Sequence, residues 1–209
     1  MKTLKLIFIL LLSVTLVTGI GKDSEVSAAG TYTVKSGDTM WKIAVKYQVG
    51  VSELISANPQ LGNPDLIYPG QSIAIPGVDQ TAQNYTYEVV RLVNAERAKV
   101  GLSPLKENWE LSRVAKYKSQ DMIDKNYFSH TSPTYGSPFQ MMKDFGISYQ
   151  AAGENIAAGQ RTPSEVVEAW MNSEGHRKNI LSPTYTEIGV GYVKGGSYGH
   201  YWTQMFIKR

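Results

Sequence analysis

Imidazole is the side chain best suited to moving protons or holding a metal near neutral pH, and the sequence has three: His130, His176 and His200. His130 follows Tyr127-Phe128-Ser129 in a polar stretch that reads as a loop after a helix. His176 stands directly after Gly175, read as a helix terminator, in Ser173-Glu174-Gly175-His176-Arg177-Lys178-Asn179. Between them lies Glu154, flanked by Ala151-Ala152-Gly153 and Asn155-Ile156-Ala157-Ala158-Gly159. A carboxylate in such a small-residue loop can be approached closely by backbone and ligand. Two imidazoles and a carboxylate could ligate a divalent metal such as zinc and leave a position for water, so His130, Glu154 and His176 are also the candidate metal set. Their spacing is no short metal motif like H-E-x-x-H. A glycosidase would need two placed carboxylates; Glu154 is one, and Glu174 is a candidate for the other. Each residue also has a plainer reading. A loop histidine is often solvated or bonded to a carbonyl, and Glu154 could simply cap a turn.

Other chemistry is excluded or weak. With no cysteine, the chain has no disulfide scaffold, thiol nucleophile, thiolate zinc site or lipoprotein anchor. Gly195-Gly196-Ser197-Tyr198-Gly199 matches G-x-S-x-G but falls in a hairpin turn, where a nucleophile elbow would need a strand-to-helix turn. The 21 Lys and Arg are dispersed among 18 acids, for a net charge of +3. A nucleic-acid partner would call for a concentrated basic stripe, so none is expected. Aromatics are rich in polar edges, 13 Tyr and 4 Trp against 5 Phe, which suits carbohydrate or peptide contact as well as half-buried packing.

Residues 85–209 must build the scaffold for these groups. Val89, Leu92, Val93 and Glu96 fit an amphipathic helix ending near Gly101, and Leu111, Val114, Ala115 and Met122 make a second stripe. Pro138 to Phe145 reads as a short helix closed by Gly146. Thr162-Pro163-Ser164-Glu165 is a capping box with proline in the first turn; it opens a helix carrying Val166, Val167 and Trp170. Ile188, Val190 and Tyr192 alternate with Gly189 and Gly191, as in a strand whose bare face lies close under another layer. A turn at 194–199 and a return strand over 201–207 complete a hairpin. Helices first and a hairpin last suggest an α/β/α sandwich on an antiparallel sheet.

The N-terminal part is organised differently. Residues 1–29 read as a secretory leader. Lys2 and Lys5 precede an apolar run from Leu6 to Val17, and Val26-Ser27-Ala28 offers small residues for cleavage. The run is shorter than the roughly 20 residues that span a bilayer, so a mature form outside the cytoplasm with no transmembrane anchor is expected. Residues 30–77 read as strand, helix, helix, strand: Tyr32 and Val34 alternate, Thr39 caps a helix with Ile43 and Ala44, and Asn58-Pro59 stops a second helix. Ile73 and Ile75 close the unit. Residues 78–84 read as a flexible tether, the whole stretch from Gly77 reaching about 15 Å.

The motif Tyr32-Thr33-Val34-Lys35-Ser36-Gly37-Asp38-Thr39, with Ile43-Ala44, Leu54, Asn58-Pro59 and Pro69-Gly70-Gln71-Ser72-Ile73-Ala74-Ile75-Pro76, resembles a LysM module. The resemblance implies binding of N-acetylglucosamine-containing glycan, peptidoglycan or a related polymer. The groove would be formed by Gly37, Asp38, Thr39 and Met40 and by Asn58, Pro59, Leu66 and Ile67. Four further motifs resemble a bacterial CAP (SCP/PR-1-like) domain: Tyr127 to Pro133, Gly153 to Ala157, Ala169 to Leu181 and Tyr201 to Phe206. Thr134 to Phe139 and Phe145 to Tyr149 resemble the sporulation-linked YkwD-type subgroup. The implied fold is an α/β/α sandwich whose cleft is lined here by His130, Glu154 and His176. The sequence departs from the animal and plant pattern: Ser173 stands where a second Glu is usual, and Tyr201 where a His is usual. His200 is one residue off and would point to the opposite strand face; Glu174 is likewise one residue from its match.

Together these readings give an α+β chain, a βααβ module followed by a CAP sandwich, secreted to a cell wall or spore envelope. The small module would anchor it, and the cleft would bind a ligand or a wall or spore protein partner. The alternative is a wall hydrolase, metal-assisted or dependent on Glu154.

Overall fold

A computed structural model describes residues 28–209; the leader expected over 1–29 lies outside them except for its last two positions. In the small module, β1 (Ala28–Thr33) pairs antiparallel with β2 (Ser72–Pro76), and α1 (Met40–Tyr47) and α2 (Val51–Ser56) come between them in the chain. Thr39 caps α1 by accepting from the Lys42 amide at 3.1 Å, and Gln48, at φ 53°, ends it. Ile43, Leu54, Ile73 and Ile75 meet in the core. Asn58 is buried there and knits α2 to β2: its Nδ2 donates to the Leu54 and Ala74 carbonyls, and its Oδ1 accepts from the Ala74 amide.

The flexible tether expected over 78–84 is replaced by helix. α3 (Gln80–Lys99) begins inside it, capped by Asp79, whose Oδ1 accepts from the Ala82 amide. Gln80 Nε2 donates to Gln83 at 3.2 Å and to Asn84 at 3.0 Å. Amides three and four residues apart support a helical turn through their own bonds. Such a turn has no apolar period, which is why it looks like a linker.

The large domain is built on four strands in the order β3 (Lys106–Glu107), β5 (Glu187–Gly195), β6 (Gly199–Lys208), β4 (Ala151–Ala158). The three long strands are antiparallel; the two-residue β3 joins β5 in parallel. One face packs on α4 (Trp109–Asp124) and α5 (Pro138–Asp144), where Leu111, Val114 and Met141 meet Met205 and Ile207. The other face packs on α3, α6 (Pro163–Asn172) and α7 (Glu174–Ile180), where Val89, Trp170 and Ile180 meet Ile188, Trp202 and Phe206. This is the expected sandwich. Gly189 and Gly191 form its tightest seam: a Cβ on either would fall closer than 3.0 Å to the α4 backbone.

A two-pronged ion pair joins the units. Arg113 of α4 donates from Nε to Glu53 Oε1 at 2.6 Å and from Nη2 to Glu53 Oε2 at 2.9 Å. Burial would raise the Glu53 carboxyl, but bonds from Arg113 and Ser52 and the guanidinium charge hold it at about 2, against an ordinary 4.5. A depressed carboxylate contributes stability above its ordinary pKa and loses it as pH falls. The junction is therefore expected at full strength above pH 4.5 and to loosen toward about pH 2, with about 3 kcal/mol involved at ~1.4 kcal/mol per pKa unit. In Arg113→Ala, Glu53 should titrate near its ordinary value. A carboxyl NMR titration showing an ordinary Glu53 in the unmodified protein would refute the clasp.

Candidate functional site

β4 is an edge strand, and its alternation sends Glu154 toward α4 and Asn155 toward α7. The small-residue loop expected around Glu154 is thus a strand: Ala and Gly are poor strand formers alone, yet their lack of bulk lets β4 fit between layers. Glu154 Oε1 lies 2.6 Å from His130 Nδ1. The Glu154 side chain is 1% exposed and that of His130 is 53% exposed, so the pair has a buried acid end and a wet imidazole end. Glu154 Oε2 is buried without a hydrogen-bond partner.

The His130 segment hangs from a buried cation. Lys118 of α4 is fully enclosed, and its Nζ donates to the Ser129 carbonyl at 2.7 Å, the His130 carbonyl at 2.9 Å and Tyr127 Oη at 3.0 Å. Burial pulls the Lys118 ammonium below its ordinary pKa, against the opposing charges of Glu154 and Asp121. Burial would raise Asp121, but donation from Ser132, Thr134 and Tyr127 and the charge of Lys118 keep it below the ordinary value. Asp121 therefore ties down the far side of the same segment.

His176 is in a helix, not in a loop after one. Ser173, extended at φ −100° and ψ 122°, both ends α6 and caps α7, and Gly175 sits inside α7. A glycine near a helix start looks like a terminator when the short second helix is not seen. An amide chain holds α7 against the edge strand: Asn179 Nδ2 donates to Asn155 Oδ1 at 2.8 Å and to the Glu154 carbonyl at 3.2 Å. Asn155 Nδ2 in turn donates to the His176 carbonyl and to Gln204 Oε1. His176 is half-buried; burial first, and then the charge of His130, lower its pKa from 6.5. Folding favours neutral His176, so stability falls as pH drops from 6.5 toward the lowered value. Imidazole NMR should show His176 titrating below 6.5, and His130→Gln should raise it; titration at or above 6.5 in the parent would contradict this geometry.

The other candidates are placed elsewhere. Glu174 is exposed and paired with Lys178 at 2.7 Å. His200 bonds Tyr192 Oη at 2.8 Å, while Tyr201 packs with Met122 and Ile156 on the opposite face. Ser197 Oγ meets Tyr201 Oη in the hairpin turn. The described residues gather no group of three His, Asp or Glu able to hold a metal. In the small module, Gly37, Thr39, Pro59 and Leu66 are exposed. Asp38 accepts from the Lys35 amide and Tyr32 Oη, which lowers its pKa. Ile67 is partly buried, and Met40 and Asn58 lie in the core.

Sequence spacing does not single out Lys118, Asp121, Asn155, Asn179 or Gln204 as site residues. For Lys118 a signal existed: it continues the spacing of Val114 and Ala115, a buried position on α4.

An α/β/α sandwich with an imidazole–carboxylate pair at its open edge, joined to a βααβ module, defines a two-part protein of LysM and CAP type. Residues 90–206 match the model of the Cysteine-rich secretory protein family, more than half of the chain, and residues 32–76 match the LysM domain. The chain belongs to the Cysteine-rich secretory protein family although it contains no cysteine. It is similar to the uncharacterized protein YkwD of Bacillus subtilis, 68% identical over 123 residues, which are 59% of this chain and 47% of that protein. Its small module is similar to part of the N-acetylmuramoyl-L-alanine amidase sle1 of Staphylococcus saprophyticus, 44% identical over 54 residues, 26% of this chain and 16% of that enzyme. The crystal structure of an extracellular protein containing a SCP domain from Bacillus anthracis superposes with a TM-score of 0.57 at 34% identity, covering 68% of this chain and 47% of that one. The chain spans about half the length of YkwD and of the Bacillus anthracis protein. Among the described residues, no helix is long and apolar enough to cross a membrane.

Proposed function

We propose that this protein is exported and held at a cell wall or spore envelope by its LysM module, which binds N-acetylglucosamine-containing glycan such as peptidoglycan. Its CAP cleft at His130, Glu154 and His176 engages a ligand or a wall or spore protein. The observation that carries the cleft reading is the Glu154 carboxylate: one oxygen is held by an accessible imidazole and the other is buried without a partner. Buried acceptors are normally satisfied, and a donor brought by a ligand would satisfy this one. The likeness of the small module to part of a wall amidase supports the glycan reading.

One observation favours a second reading, a hydrolase. If Nδ1–H of His130 donates to Glu154, Nε2 is left as a proton acceptor on the wet side. A glycosidase pair is not completed, because Glu174 is at the surface with Lys178.

Purified protein incubated with peptidoglycan separates the readings. Pull-down should be lost when residues 31–76 are deleted and should survive His130→Ala and Glu154→Ala, without release of soluble fragments. Fragment release that disappears in both substitutions would establish the hydrolase. Pull-down that persists without residues 31–76 would refute LysM anchoring.

A further inference from the structure

The two units do not close fully on each other. Two cavities, of about 350 and 270 Å³, remain along the junction, and Trp109 at the start of α4 lines both. At one end stand Trp41 of α1, 63% exposed, and Phe145; at the other stands Tyr87 of α3, 62% exposed. The Arg113–Glu53 clasp runs beside the smaller cavity and sets the spacing of its walls.

The polar lining of the larger cavity is three amides, Gln48, Gln83 and Asn84, with the carboxyl of Glu107. Gln80 donates to the side-chain oxygens of Gln83 and Asn84, so the NH₂ groups of those two carry no protein partner among the described residues. Exposed rings with free amide donors fit the apolar face of a pyranose and its acetamido and hydroxyl oxygens. Charge selects against a polyanion. Arg113 is neutralised by Glu53, and Glu110 pairs with Arg209 at 3.4 Å. Glu107 lines the larger cavity with no ion pair among the described residues. A phosphate-rich polymer or nucleic acid would meet net negative charge there.

We infer that the junction is a second saccharide subsite, in which Trp109 and Tyr87 of the CAP domain grip the same N-acetylated glycan strand that the LysM module holds. The inference rests on the glycan reading of that module. Trp41 lies in the first turn of α1, one residue after Met40 of the module's expected groove, and lines the smaller cavity. Two subsites held by one clasp would add their contacts on a single strand, so affinity rises with strand length.

The test is calorimetric titration of the full chain with N-acetylglucosamine tetramer and octamer. At one-to-one stoichiometry the octamer should bind at least about tenfold tighter, a difference of ~1.4 kcal/mol. Trp109→Ala and Tyr87→Ala should each bring the octamer near the tetramer's affinity and leave the tetramer unchanged. Tyr87 is exposed, so its variant is informative even if Trp109→Ala disturbs α4. Equal affinities for the two oligomers, an octamer gain that survives Tyr87→Ala, or tetramer binding weakened by it would each overturn the second subsite while LysM binding stands. If neither oligomer binds, the glycan reading itself fails and this inference falls with it.

Discussion

Lys118→Met is expected to destabilise the CAP domain by about 3–5 kcal/mol, the range for removing one partner from a buried charge cluster. For a domain of this size that is a fall in Tm of roughly 10–20 °C. Methionine fills the volume, so the effect is electrostatic. The Ser129 and His130 carbonyls lose their donor, and the buried Glu154 and Asp121 lose the cation between them. The loss should extend to the cleft: with its carbonyl released, His130 is no longer held 2.6 Å from Glu154. Denaturant unfolding measures the first effect and imidazole NMR the second. A stability change under about 1 kcal/mol with an unaltered His130 signal would show that the buried ammonium does not organise the site.

Gly191→Ala should cost at least about 3 kcal/mol, at the upper end for overpacking. The added methyl would fall on the backbone of Ala115 and Lys116, and backbone cannot rotate aside as a side chain can. Helix α4 would have to lift from β5, and Lys118 lies less than one turn further along it. Gly175→Ala is the contrasting case. Its Cβ meets nothing within 4 Å, and the residue lies inside α7, so alanine should be neutral or stabilising by up to about 1 kcal/mol. If Gly175→Ala destabilised as much as Gly191→Ala, the helical placement of His176 would be wrong.

This contrast shows where sequence reading succeeds and where it misleads. At Gly189 and Gly191 the alternation with Ile188, Val190 and Tyr192 identifies both the strand and its bare face, because two-residue periodicity is a local property. At Gly175 the same residue type reads as a terminator, since a helix break at Ser173 followed at once by a new helix leaves little composition change. The Thr162 box is half as expected: Thr162 accepts from the Glu165 amide, but Glu165 reaches back to the amide of Arg161, one residue earlier than the motif implies.

The sequence by itself determined the two-part organisation, most caps and strands and the layered class of the large domain, and it singled out His130, Glu154 and His176 as candidates. These follow from hydrogen bonds and periodicities spanning a few residues and from motifs matched in order. Only the tertiary structure decided that Glu154 lies on an edge strand, that Lys118 is buried behind His130, that helix replaces the tether, and that two cavities sharing Trp109 remain at the junction. Each depends on which surfaces meet after dozens of intervening residues have been folded away, and a chain's local preferences carry no record of that distance.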